Sequence, residues 1–395
     1  MHSTTVYMFC NHPFEIPCFA GITNVIRELR PDMKITLILD SMPYFLKTEV
    51  DFALKYFDKV ERIGWCDYYT TPARLQAIPG IIKEFISTSR FHRQLRAIDI
   101  KPDSFVFMIS GKQLVSNVLL KRLKGLNPTL IYLTTRHVES IENYMFSYKS
   151  SFYVNLYHLL FGASFVDYSY MRETGWVFIQ HRKNPYNYTF FMRPPTENLD
   201  TDEIPFPLYF PERQNNPSLQ PGNIVVLFGS VFLSWNGIDR EKFITRFNEI
   251  INCIRIKHAS SRLIYKPHPR ETNEKELLNL TGFEIDESAT SELLFMKKPD
   301  IRTAYSVAST SSRTALCFGI RSYLLFLLFD VPPIIRTRFE ANCYYMPHET
   351  IIRSLDELGN SDDKTPPLDF TPTIRSSIIR MLEQIGLLGN KGALL

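Results

Sequence analysis

The 395-residue chain is poor in the features that would place it quickly. Its six cysteines, at positions 10, 18, 66, 253, 317 and 343, form no C-x-x-C pair. That leaves zinc and dithiol redox motifs unsupported and reads as reduced thiols in a cytoplasmic compartment. No apolar run reaches the roughly 20 residues that span a bilayer; the longest, Tyr323 to Phe329, is far shorter. The opening Met1-His2-Ser3-Thr4-Thr5-Val6 has neither the cationic start nor the apolar stretch of a secretory signal. Without secretion, the sequons at Asn187-Tyr188-Thr189 and Asn279-Leu280-Thr281 carry no weight. Charge of one sign is also scarce. A net +4 is far from the concentrated positive charge of a nucleic-acid binder, so no nucleic-acid partner is expected. No His/Asp/Glu cluster has metal-ligand spacing, and no repeat or low-complexity tract appears.

What is present is ordinary globular material: 45% hydrophobic and 22% charged residues, with 30 Phe and 20 Tyr that read as core before carbohydrate surface. Length favours two domains. In the first half, strand patterns at Val6–Cys10, Lys34–Asp40, Phe105–Ile109 and Leu130–Leu133 alternate with helical patterns at Ile16–Leu29, Tyr44–Phe57 and Gln113–Leu126. Short apolar strands alternating with helices imply a parallel sheet covered on both faces. Seven prolines between Pro194 and Gly222 break the rhythm, and 194–222 reads as an interdomain linker.

The alternation restarts with strands at Asn223–Phe228, Arg262–Lys266, Phe283–Ile285 and Arg302–Val307. Helical patterns lie at Arg240–Ile256, Glu274–Leu280, Ser291–Met296 and Thr373–Leu388. The expected fold is α/β: two Rossmann-like doubly wound domains, 1–193 and 223–395, facing a cleft.

Two segments carry the chemistry. Tyr265-Lys266-Pro267-His268-Pro269-Arg270 ends a strand pattern, and the prolines hold the histidine's backbone. Ser306-Val307-Ala308-Ser309-Thr310-Ser311-Ser312 ends another and opens a helical run, Arg313 to Gly319. An imidazole, cations, hydroxyls and a helix start together suit a nucleotide phosphate. Each has a plainer meaning too: a strand-ending loop for the first, a helix cap for the second.

Lys266-Pro267-His268-Pro269 resembles the HP motif of bacterial sialyltransferases. Ser311-Ser312 with Thr314-Ala315-Leu316 is similar to their serine motif. The order and spacing resemble those of the lipooligosaccharide sialyltransferases and capsule polysialyltransferases, mainly over residues 223–330. The resemblance implies a metal-independent, inverting glycosyltransferase of the two-Rossmann GT-B plan. Its donor would be CMP-sialic acid or a related CMP-nonulosonic acid. Its acceptor would be a glycan or lipid-linked oligosaccharide, at the cytoplasmic side of the inner membrane. Under it, His268 acts at the leaving phosphate, Ser311, Ser312 and the helix start hold its oxygens, Lys266 beside Pro267 either adds charge or points into solvent, and Glu292 accepts the ribose hydroxyls. Gly229 allows close approach of the donor.

The family's acidic base motif is only partly kept, at Val138-Glu139-Ser140. Glu139 is the candidate base, with Glu142, His137 and Asp40 as rivals. Asn11-His12-Pro13 is either an acceptor grip or a strand-to-helix turn. Asp200-Thr201-Asp202 has a metal-binding D-x-D form but sits in the proline-rich stretch. Segment 151–170 is a buried helix or a membrane contact. A CDP-glycerol-type polymer transferase and an inactive glycan-binding module remain the alternatives.

Overall fold

The computed structural model describes residues 5–10, 12–40, 47–63, 93–109, 119, 123, 126, 128–135, 187–191, 203–205, 207–211, 223–235, 237–269, 271, 273–287, 290–343, 350–360 and 370–388. The chain divides into two compact units. One comprises Met1–Phe191, Asn198–Tyr209 and Arg375–Leu395, and the other Met192–Glu197 and Phe210–Ile374.

The first unit is built on a seven-stranded sheet: β1 (Thr5–Cys10), β2 (Lys34–Asp40), β3 (Lys59–Ile63), β4 (Phe105–Ile109), β5 (Thr129–Thr135), β6 (Asn187–Phe191) and β7 (Glu203–Pro205). All pairs are parallel, in the order β3-β2-β1-β4-β5-β6-β7. This is the doubly wound order, with its switch point between β1 and β4. β1 is buried from Val6 to Cys10, as a central strand covered on both faces must be. α1 (Glu15–Leu29) and α2 (Lys47–Tyr56) follow β1 and β2.

Two boundaries differ from the sequence reading. Residues 194–222 are not simply a linker: Glu203–Pro205 adds β7 to the sheet edge, the position in a sheet that tolerates a proline. Leu208 and Tyr209 are buried behind it. The C-terminal segment does not stay with the second unit, as a 223–395 domain would require. α8 (Thr371–Gln384) leads it back to α1: Arg375 pairs with Glu28 at 3.0 Å, the Tyr209 hydroxyl donates to Glu28 at 2.7 Å, and Arg30 donates to the Leu387 carbonyl at 3.1 Å.

The second unit has a five-stranded sheet of β8 (Ile224–Phe228), β9 (Arg262–Lys266), β10 (Phe283–Ile285), β11 (Ile301–Ser306) and β12 (Arg321–Leu324). It too is all parallel, ordered β10-β9-β8-β11-β12. Alternate residues of β8 feed two cores. Val225 and Leu227 pack with Phe243, Phe247, Ile250 and Ile254 of α3 (Arg240–Lys257). Ile224, Val226 and Phe228 pack with Leu294 and Phe295 of α4 (Ser291–Lys297) and Ala315 of α5 (Thr310–Cys317). Helices α6 (Pro333–Cys343) and α7 (Leu355–Asn360) complete the unit. Cys10, Cys18, Cys253 and Cys317 are free thiols. Among the described residues no helix is long and apolar enough to cross a membrane.

Gly21 shows how tightly the returning chain packs. A β-carbon there would overlap the Pro207 carbonyl and the Tyr209 amide. In an ordinary helix Gly→Ala stabilises by about 1 kcal/mol. Here Gly21→Ala is expected to destabilise by about 1–3 kcal/mol, the scale of overpacking against an unyielding neighbour. A denaturant midpoint at or above the wild-type value would contradict this contact.

Candidate functional site

The sheet order of the second unit brings three turns to one edge. β8 lies between β9 and β11, so the turns leaving their carboxyl ends are neighbours at the switch point, where open α/β sheets hold ligands. After β8 comes Gly229-Ser230, after β9 Pro267-His268, and after β11 the serine run into α5. The two motifs read from the sequence therefore flank the same strand, about 10 Å apart across two strand spacings.

The histidine turn is held by a residue that the motif reading passed over. Glu271 Oε2 accepts the His268 backbone N–H at 2.9 Å, and Oε1 accepts the Tyr265 hydroxyl at 2.7 Å. The Glu271 N–H donates back to the His268 carbonyl at 2.8 Å. Burial raises the Glu271 carboxyl above its usual range, and it pushes the fully buried Tyr265 phenol up strongly.

Gly229 lies against this group. Its N–H donates to the Lys266 carbonyl at 2.9 Å, and a β-carbon on it would collide with the Glu271 carboxylate and the Tyr265 hydroxyl. The glycine makes room for these protein atoms. Pro267 and His268 are half-buried. Lys266 is buried, not turned to solvent, and its charge adds to that of Lys275 in holding the Glu287 carboxyl below the usual range. Ser230 Oγ is shielded from solvent and has no hydrogen-bond partner among the described residues.

The serine turn divides its hydroxyls. Ser309 is the N-cap of α5, its side chain accepting the Ser311 N–H at 3.2 Å. The Ser311 hydroxyl donates to Ser291 Oγ at 2.9 Å. Ser312 is fully buried, and its hydroxyl meets that of Ser306, at the end of β11, at 2.5 Å. Ser312 thus points inward and fastens the helix to its strand, in place of the open phosphate donor expected of it.

Glu292 is likewise buried near the start of α4. It accepts the Thr314 hydroxyl at 3.2 Å and the Ser291 hydroxyl at 3.2 Å. Ser291–Ser311 and Glu292–Thr314 together stitch α4 to α5. Helix position explains this division: successive residues of a first turn face different sides, which a run of serines does not reveal.

Other expectations fall elsewhere. Glu139, Glu142 and His137 lie outside the described residues, as do Arg270, Asn11, Asp200, Asp202 and segment 151–170. Asp40 ends β2 at the carboxyl edge of the first sheet. The His12 carbonyl accepts the Glu15 N–H at 3.0 Å and the Cys10 thiol at 3.2 Å, the geometry of a strand-to-helix turn. Among the described residues no group of three His, Cys, Asp or Glu is placed to hold a metal ion.

No family model matches the sequence. No curated protein matches it. Solved structures similar to it include a UDP-N-acetylglucosamine 2-epimerase from Rickettsia bellii, at 10% identity over 99% of each chain and a TM-score of 0.49. A calicheamicin glycosyltransferase matches at 13% identity over 98% of this chain and 96% of that one, TM-score 0.46. A UDP-glucosyltransferase from Polygonum tinctorium matches at 12% identity, over 98% and 95%, TM-score 0.46. At these TM-scores the likeness carries no argument about ligand or reaction.

Burial raises the Glu292 carboxyl despite three hydroxyls and its own N–H favouring the charged form. The native state therefore keeps a proton that the unfolded chain has released. This contribution to stability is fully present below the unfolded value, about 4.3, and is lost as pH rises through the raised folded value. Glu271 acts in the same direction. Glu292→Gln should flatten the fall in melting temperature above the carboxylate range. Parallel wild-type and variant profiles would mean that Glu292 titrates normally.

Proposed function

We propose that this chain is an inverting glycosyltransferase of the two-Rossmann GT-B plan. It would transfer sialic acid, or a related nonulosonic acid, from its CMP-activated form to a cell-surface glycan. The observation that supports this reading most is the convergence at one sheet edge. An imidazole held between prolines, the start of α5 and a hydroxyl without a protein partner among the described residues leave the strands on either side of one switch point. That is a setting for a phosphate.

In the reaction, an acceptor hydroxyl attacks the anomeric carbon. The bond from that carbon to the phosphate oxygen breaks, and CMP departs with the bonding electrons. His268 donates to the phosphate as its charge grows, and the start of α5 and Lys266 stabilise it. The acceptor's proton passes to a base, for which we propose Glu139. Glu292 supports the start of α5; ribose binding would have it exchange Ser291 and Thr314 for sugar hydroxyls. We propose that no metal takes part. The acceptor is a glycan or lipid-linked oligosaccharide, of lipooligosaccharide or capsule type, met at the cytoplasmic face of the membrane by peripheral contact.

Nucleotide choice tests the donor. CMP should raise the melting temperature more than UMP, GMP or AMP, because ligand at 100 times its dissociation constant adds about 2.7 kcal/mol. Equal shifts, or a preference for uridine nucleotides, would end the CMP reading. Turnover of CDP-glycerol without turnover of a CMP-sugar would select the polymer transferase. Binding without any turnover would select the glycan-binding module.

His268→Ala should unfold at the wild-type temperature within error, since the half-buried side chain lies in the turn after β9. It should lose about 10²- to 10⁴-fold in transfer rate. A near wild-type rate would reduce the histidine to a loop residue.

A further inference from the structure

The histidine turn is held more firmly than the end of a strand requires. Pro267 and Pro269 restrict the backbone on either side of His268. The Glu271 carboxylate accepts the His268 N–H and the Glu271 N–H donates to the His268 carbonyl, so residues 268 and 271 clasp each other reciprocally, the carboxylate reaching back three residues as in one half of a capping box. The clasp has its own support. The fully buried Tyr265 donates to the other carboxylate oxygen, and Gly229 leaves the space in which that oxygen pair sits. Hydrogen bonds to a carboxylate are short and strong, and such a group holds a backbone amide better than water or a neutral acceptor does.

We propose that Glu271 is the positioning residue of His268: seated over Gly229 and tied to Tyr265, its carboxylate anchors the His268 N–H and so sets where the imidazole points. The role rests on the reading of His268 as the group at the donor phosphate. A side chain that must meet a phosphate within a few tenths of an ångström needs a backbone that does not wander. The geometry also explains why glycine follows β8: any larger residue displaces the anchor.

Two readouts separate this role from general support of the fold. The first needs no substrate: exchange of the His268 amide, followed by NMR on protein labelled with ¹⁵N-histidine. Glu271→Ala should speed that exchange by about tenfold or more, as loss of a charge-assisted bond predicts. Gly229→Ala should do the same by pushing the carboxylate aside. Glu271→Gln should restore most of the protection, because its amide oxygen accepts the His268 N–H and its NH₂ donates to the Tyr265 hydroxyl.

The second readout is a double-mutant cycle on the transfer rate. Glu271→Ala should lower kcat by about 10²-fold, and His268→Ala with Glu271→Ala should be no slower than His268→Ala alone. Unchanged amide exchange in Glu271→Ala, or losses that multiply in the double variant, would overturn the assignment. Should Glu271→Ala fail to fold, Gly229→Ala and Glu271→Gln decide the exchange question between them. If His268→Ala proves fully active, the donor-site reading fails by itself, and the exchange rates alone judge the anchor.

Discussion

The second unit depends on where β8 lies. It pairs with β9 along one side and β11 along the other, so chain segments far apart in sequence leave the sheet side by side. Parallel pairing makes this possible, because it sends the carboxyl ends of all three strands the same way. The hydrophobic faces maintain it: β8 is apolar at every position and fills both cores, so a slip of one residue would exchange its two sets of side chains. The turns inherit their neighbourhood from that register.

Polar contacts then shape the turns, and they do so mainly by satisfying one another. Ser312 and Ser306 close the gap between helix and strand, Ser291 and Ser311 join two helix starts, and Glu292 accepts two hydroxyls. Each buried group left alone would cost about 1–3 kcal/mol. A densely hydroxylated segment beside the proposed phosphate site therefore has two tasks, to hold the backbone and to leave donors for a ligand. Here most of the side chains described do the first. What is left over is the start of α5, the half-buried His268 turn and the hydroxyl of Ser230, which is shielded from solvent and has no partner among the described residues.

Much of the architecture was legible in the sequence. Lys34–Asp40, Phe105–Ile109, Arg262–Lys266 and Phe283–Ile285 are strands as expected, and the doubly wound order follows from their alternation with helices. β3 escaped notice because Lys59, Glu61 and Arg62 give an edge strand the look of a loop. β12 was hidden in the apolar run that continues into Phe329, and β7 by its proline. The predicted helix at Glu274–Leu280 is a single 3-10 turn, Glu274–Leu277.

At the site, the sequence revealed the kinds of residue but not the directions of their side chains. The orientation of Glu292 follows from how two helices meet, and that of Ser312 from how α5 packs on β11. Glu271 looked like one acid among many, because its role depends on Gly229, a neighbour only in the folded sheet. Its place three residues after a histidine at a turn was the available signal.

A crystal structure of the protein with CMP tests most directly whether the edge shared by β8, β9 and β11 receives a nucleotide phosphate, as we propose. The phosphate is expected within hydrogen-bonding distance of the His268 imidazole and of the first turn of α5, with Glu271 still joined to the His268 N–H. Well-ordered CMP with its phosphate elsewhere on the chain, or the His268 turn facing away from it, would contradict the account.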